Sequence, residues 1–278
     1  MPLIAMNREM GSLGKDVAQG LADLLGIRVQ HHEMIDHLAN RARLRKSHVI
    51  SFLEGTQGLF ERLTTDQVGL RILTADEIAS LAEAHPGGIV MRGWGATALL
   101  KDVPHVVRVC VTASRRERVK RMMERLDTTD ANQVARIVEH NDEAARAVMR
   151  RHFHIDVRDI NEYDLGFNTD RISAGECVEK IAAVLKSPQF AETEASRAKL
   201  RDVATVHHVR AALRTHTSTA HCWVRVTADN GRVTLEGVVD SIDEKLACDE
   251  IASRLKGVVS LENRLRVGAV PARVSGKS

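Results

Sequence analysis

The chain has 278 residues, more than one ordinary domain needs, and its 44% apolar content is ample for packed cores, so two domains are expected. Lys and Arg total 40 against 37 Asp and Glu; a net charge of +3 excludes a protein held to nucleic acid by bulk electrostatics. With Phe 5, Trp 2 and Tyr 1, platforms for stacking bases are also few, and no nucleic-acid partner is expected.

Leu3-Ile4-Ala5-Met6 reads as a short buried strand, and Asp16 to Leu25 as a helix, because Val17, Leu21, Leu24 and Leu25 recur at helical spacing before Gly26 stops it. Between them lies Asn7-Arg8-Glu9-Met10-Gly11-Ser12-Leu13-Gly14-Lys15-Asp16, an imperfect match to GxxxxGK[ST]. Gly14 and Lys15 are present; Glu9 occupies the first glycine position and Asp16 the Ser/Thr position. A glycine turn between strand and helix points backbone N–H groups and a helix N-terminus at one place, which suits a nucleotide's phosphates, with Lys15 adding charge. Asp16 has the carboxylate chemistry of a Mg²⁺ ligand but also brings negative charge close to the phosphates.

From about Met34 to His85 the pattern is helical, with Thr74 and Glu77 spaced as a capping box that opens a helix through Leu81. Ile89-Val90-Met91 and Val106 to Val111 read as buried strands. Arg92 follows the first directly, so its side chain is expected at a strand's carboxyl end, where open α/β sheets bind ligands; an ion pair at the sheet edge is the other reading. Ser114 and Glu117 form a second capping box, and the helix they open carries Arg115, Arg116, Arg118, Lys120, Arg121 and Arg125. Such a run is usually a solvated face, but positive charge is also what phosphoryl transfer requires, and Arg118 and Arg121 are expected to face phosphate. A further helix is expected from about Asp130 to Arg151, in which Asp142 and Arg146 have the i, i+4 spacing of a simple salt bridge. A last short strand lies in Tyr163 to Asp170, with a helix from Ser173 to Leu185.

After Lys186-Ser187-Pro188 the composition turns charged and alanine-rich. The expected division is therefore a first domain over 1–187, a linker over 188–200, a small second domain over 201–268 and a flexible tail over 269–278. The second domain reads as a helix near Val203 to Leu213, strands at Trp223 to Val226 and Arg232 to Val239, a helix capped by Ser241 and Glu244, and a strand near Val258 to Val267. Cys110, Cys177, Cys222 and Cys248 form no CxxC pair, so neither a zinc site nor a disulfide framework is expected; His31, His32 and Glu33 also lack metal-ligand spacing, and no metal-binding residues are assigned. No stretch approaches the roughly 18 apolar residues of a membrane span, and the apolar run ending at Arg8 is too short for a signal-peptide core, so the expected location is cytoplasmic.

Residues 1 to about 187 resemble the cytidylate-kinase-like family of P-loop nucleoside-monophosphate kinases. The resemblance rests on Arg8-Glu9-Met10-Gly11-Ser12-Leu13-Gly14, Ile89-Val90-Met91-Arg92-Gly93, Val109 to Arg121, Asp142 with Arg146, and Tyr163-Asp164-Leu165 with Asn168-Thr169-Asp170. Arg-Glu before the Gly-Ser pair is common in that branch and accounts for Glu9. The resemblance implies an α/β fold, a P-loop kinase-type parallel sheet flanked by helices, with ATP as donor, Mg²⁺ as cofactor and a nucleoside monophosphate, CMP first among candidates, as acceptor. By matched position, Gly11, Ser12, Gly14 and Lys15 hold ATP phosphates, Arg92 and Arg146 hold the acceptor's phosphate, and Lys15, Arg118 and Arg121 serve catalysis, the two arginines from the lid. The chain departs from the family pattern at Gln30-His31-His32-Glu33, where an Asp is usual, and at Gly93. Residues 201–268 are similar to a BON domain, a small α+β unit, through Gly231 to Val239 and Gly257-Val258-Val259 with Glu262-Asn263; this implies a protein or phospholipid ligand and a role in localisation or regulation. Asp16 and His31 motivate an alternative, a nucleotide-binding sensor of low catalytic power signalling through the BON domain, and a scaffold acting through that domain is a third reading.

Overall fold

The computed structural model describes residues 1–30, 32–58, 66–93 and 95–268. His31 and the expected tail over 269–278 lie outside the described residues. The chain divides into two compact units, the first ending at Leu200 and the second beginning at Arg201.

In the first unit β1 (Leu3–Arg8) leads through the glycine loop into α1 (Gly14–Leu25), which ends where Gly26, at φ 66°, returns its N–H to the Ala22 carbonyl. There follow β2 (Arg28–Gln30), α2 (His32–Ala42), α3 (Lys46–Glu54), α4 (Gln67–Ala84), β3 (Ile89–Arg92), α5 (Ala96–Leu99), β4 (Val106–Thr112), α6 (Arg115–Leu126), α7 (Ala131–Val148), β5 (Leu165–Asn168) and α8 (Ala174–Leu185). The five strands pair in parallel in the order β2-β3-β1-β4-β5. Because β3 lies on one side of β1 and β4 on the other, the strand order reverses at β1, and its carboxyl end is where such sheets bind ligands. Register sets Met6 opposite both Arg92 and Val109, and Arg8 opposite Val111, so Arg8 and Arg92 emerge at the same sheet edge.

One sheet face supplies Ile4, Met6, Val107, Val109 and Val111, which pack against Val17 and Leu21 of α1 and Cys177 and Ile181 of α8. Each such fully buried aliphatic side chain contributes about 1.5–3 kcal/mol relative to exposure.

Two helix starts differ in detail from the sequence expectation. Thr74 lies inside α4, donating its hydroxyl to the Leu70 carbonyl at 2.7 Å, because Asp66 caps this helix from farther upstream by accepting the Gly69 N–H. Ser114 does cap α6, yet Glu117 does not complete a box: the Ser114 N–H is taken instead by Asp170 at 2.8 Å.

The second unit takes the larger part of α9 (Glu194–Thr215), then β6 (Trp223–Asp229), β7 (Arg232–Val239), α10 (Ile242–Ser253) and β8 (Ser260–Val267). Its sheet runs β6-β7-β8, antiparallel then parallel. The β6–β7 turn uses Asn230 and Gly231 at φ 50° and 75°, the left-handed pair that a two-residue hairpin favours, and the buried carboxylate of Asp202 accepts both of their N–H groups. Val226, Val233, Leu235 and Leu265 pack with Val209, Leu213, Cys248 and Ala252 into a separate core.

Candidate phosphate-binding site

The loop after β1 is held by its own backbone. Glu9 N–H donates to the Val111 carbonyl at 3.1 Å, and both the N–H and the hydroxyl of Ser12 donate to the Glu9 carbonyl at 3.2 and 2.8 Å. Ser12 is fully buried in this turn, so it shapes the loop, and its side chain is not presented to a phosphate. Gly11 has φ 77°, and a Cβ there would lie 2.8 Å from the Arg118 carbonyl; a Cβ on Gly14 would lie 2.5 Å from that of Arg8. The tight turn therefore depends on both glycines. Leu13, itself left-handed at φ 61°, stands at the N-cap of α1 without supplying a capping hydrogen bond. The first turn of α1 thus presents N–H groups and the positive end of its dipole with no side chain among the described residues satisfying them, the arrangement that receives anions. Lys15 and Asp16 are exposed on that turn.

Three arginines gather near it. Arg92, the last residue of β3, is buried to 8% exposure, and its Nε–H has no hydrogen-bond partner. Burial lowers its pKa, the charges of Arg8 and Arg125 lower it further, and Asp16 opposes them. Arg8 is likewise held low, first by burial, with Arg125 adding to the effect against Glu54. Among the described residues none of the three has a carboxylate at ion-pair distance. A buried cation repelled by like-charged neighbours is costly unless an anion joins it.

Arg118 and Arg121 are placed otherwise than the sequence suggested. Arg118 is turned inward, 6% exposed, and donates Nη1 to Asp142 Oδ1 at 3.0 Å, Nη2 to Asp142 Oδ2 at 2.8 Å and Nε to the Ala113 carbonyl at 3.1 Å, with Glu9 Oε2 3.5 Å away. Burial works against its charge, but the Asp142 hydrogen bonds and Glu9 outweigh it and raise the pKa. Arg121 donates to the Gly11 carbonyl at 3.3 Å, the Thr169 hydroxyl at 3.0 Å and the Thr169 carbonyl at 2.7 Å. Both guanidinium groups are spent bracing the loop and the end of β5, because carbonyls and carboxylates surround them. Arg146 lies 3.7 Å from Asp142, but Asp142 gives its shorter contacts to Arg118.

Arg8 and Arg146 also line a cavity of about 390 Å³ between β1, β4, β5 and α7, together with Asn7, Cys110, Tyr163 and Asn168. That volume lies within the range of small-ligand pockets. Asn7 donates its amide to the Tyr163 oxygen at 2.8 Å, and Tyr163 donates its hydroxyl to the Val157 carbonyl at 3.0 Å. Burial pushes the Cys110 thiol up to about 11, aided by the negative charge of Glu9, which accepts the hydroxyl of Thr112. Sequence reasoning assigned no role to Arg8 or Arg125. Arg8 carried a usable signal, as a charged residue closing a buried parallel strand; Arg125 lay hidden in a run of arginines whose directions only the fold sets.

Among solved structures, an uncharacterized protein from Eubacterium ventriosum ATCC 27560 is 19% identical, with a TM-score of 0.53 over 67% of this chain and 99% of its own. A shikimate kinase from Bacteroides thetaiotaomicron (13% identity, TM-score 0.42, covering 67% of this chain and 99% of its own) and one from Acinetobacter baumannii in complex with shikimate (16%, 0.38, 69% and 96%) are also similar. At these identities the first likeness speaks to the fold, and the two kinases add no argument about activity. No curated protein matches the chain. Residues 200–269 match the model of the BON domain. The strand order, the glycine loop and the arginine at the end of β3 belong to the stretch over 3–171 that matches the cytidylate kinase-like family, more than half of the chain, and the protein is a member of that family.

Proposed function

We propose that the first unit transfers a phosphoryl group from ATP to a nucleoside monophosphate, with CMP the first acceptor to test. The observation that carries this is the convergence of Arg8, Arg92 and Arg125 beside the uncapped N-terminus of α1. Family membership supports the same reading.

The residues fit the donor. The turn from Gly11 to Gly14 packs so closely on Arg118 and Arg8 that neither glycine has room for a Cβ, and the exposed Lys15 after it adds a positive charge. Asp16, exposed on the first turn of α1, would offer the oxygen ligand that Mg²⁺ takes. Mg²⁺·ATP, when bound, supplies the transferable phosphoryl group and part of the charge neutralisation.

Arg92, Arg8 and Arg125 hold the acceptor's phosphate, while Arg146 and the cavity lined by Asn7 and Tyr163 receive its nucleoside. Arg118 and Arg121 act as positioning residues that fix the loop. In-line phosphoryl transfer asks for little covalent help from a protein; orientation and fixed positive charge lower the barrier. The BON unit localises or regulates the kinase through a protein or phospholipid, a reading supported by Trp223 and Val238, paired across β6 and β7 and both exposed.

The test is transfer from radiolabelled ATP, with Mg²⁺, to CMP, dCMP, UMP, AMP and GMP, with Lys15→Ala as control. Labelled diphosphate that disappears in Lys15→Ala supports the proposal. Transfer to none of the five overturns it; tight ATP or monophosphate binding without transfer would then identify a nucleotide-binding sensor.

A further inference from the structure

The second unit brings together donors that lie far apart in the chain. His221 Nε2 is 3.1 Å from Glu244 Oε1, and Cys222 Sγ is 3.6 Å from Glu244 Oε2; the three donor atoms all lie within 4.8 Å of one another. Cys222 also lies near the fully buried Cys248. Glu244 and Cys248 are four residues apart on α10, hence on one face of it, while His221 and Cys222 sit side by side just before β6.

We propose that His221, Cys222 and Glu244 form a zinc site. Donor atoms around a tetrahedral zinc ion, with bonds of about 2.0–2.3 Å, stand roughly 3.2–3.8 Å apart, and the two measured separations are close to that spacing. The set is one imidazole, one thiol and one carboxylate, a mixture that suits zinc better than Mg²⁺ or Ca²⁺ and leaves the fourth tetrahedral position to a water molecule. A supporting layer is already present: the Asp240 N–H donates to Glu244 Oε2 at 2.8 Å and fixes the carboxylate. The Cys222 thiol gives up its proton on forming a metal–sulfur bond, so uptake of one ion releases about one proton to solvent. The ion ties the first turn of α10 to the start of β6 and thereby staples helix to sheet within this unit.

The experiment uses the full-length, reduced and metal-stripped chain. Added Co²⁺ is expected to give a sulfur-to-cobalt charge-transfer band that saturates at one ion per chain and is erased by Zn²⁺, with proton release in weak buffer. Cys222→Ser removes the band. His221→Ala, at an exposed position that tolerates the change, weakens Zn²⁺ binding about 10- to 100-fold in competition with a chelating dye. Absence of the band, a band unchanged in Cys222→Ser and thus owed to another cysteine, or Zn²⁺ affinity unchanged in His221→Ala each overturns the proposal. A Cys222–Cys248 disulfide found in protein isolated without reductant overturns it as well.

Discussion

Arg118 and Asp142 form a two-pronged ion pair inside the first unit, with both carboxylate oxygens engaged at 3.0 and 2.8 Å and neither side chain more than 9% exposed. The pair ties α6 to α7, and through the Met10 carbonyl and Glu9 it also ties α6 to the phosphate loop. The arginine that the family resemblance implies as a lid group is thus paired with Asp142 in this structure.

That pair predicts an asymmetry between mutants. Asp142→Ala leaves a buried guanidinium without its partner and is expected to cost about 3–5 kcal/mol, whereas the double change Arg118→Met with Asp142→Leu removes both charges and should cost far less. Urea midpoints of the single and double variants decide it; equal losses would show that the pair is not the source.

Arg92 should carry the opposite signature. A buried cation repelled by Arg8 and Arg125 is a burden to the free protein and a benefit only when an anion is present. Arg92→Leu is expected to raise stability by about 1 kcal/mol in anion-free buffer, seen as roughly 2–4 °C in Tm. The same variant should lose the Tm increase that phosphate or ATP gives the parent chain. If phosphate leaves the parent's Tm unmoved, the anion site is refuted.

Gly11→Ala tests the loop itself. A side chain at φ 77°, with its Cβ 2.8 Å from the Arg118 carbonyl, should cost about 1–3 kcal/mol and open the turn. Equilibrium dialysis with ATP should show weakened binding at a temperature where the variant remains folded, and unchanged affinity would separate the loop from nucleotide recognition.

His152 gives a pH dependence. It packs against Phe52 with ring centroids 4.8 Å apart, and burial, followed by the charges of Arg151, Arg71 and His154, lowers its pKa from the ordinary 6.5 to about 4. The unfolded chain takes up this proton near 6.5 and the folded chain only near 4, so stability is full above about 6.5 and falls as pH drops through that window. His152→Phe should flatten this part of the urea-midpoint profile, and an unaltered slope would assign the dependence to other groups.

Local chemistry was legible where the interaction is local. The left-handed stop at Gly26, the caps at Ser114 and Ser241, and the strand before the arginine helix are written in residues close together in the chain. Thr74 shows the limit: its spacing to Glu77 imitates a helix start, but Asp66 had begun the helix already, and a mid-helix threonine returns its hydroxyl to the carbonyl four residues back. The charged, alanine-rich composition after Pro188 reads as a solvated helical linker; a helix does begin there, at Glu194, but the composition did not disclose that it buries Leu200.

By itself the sequence determined the glycine loop between strand and helix, the alternation of helices with buried strands, and the family, because periodicity, capping and glycine placement are short-range properties. Only the tertiary structure decided which arginines find a close acidic partner: Arg118 found Asp142, 24 residues away, while among the described residues Arg8, Arg92 and Arg125 have no carboxylate at ion-pair distance. The same is true of His221 and Cys222, which reach Glu244 only because α10 folds back over the sheet. A side chain's partner depends on strand register and helix packing, and those are settled by burial across the whole unit.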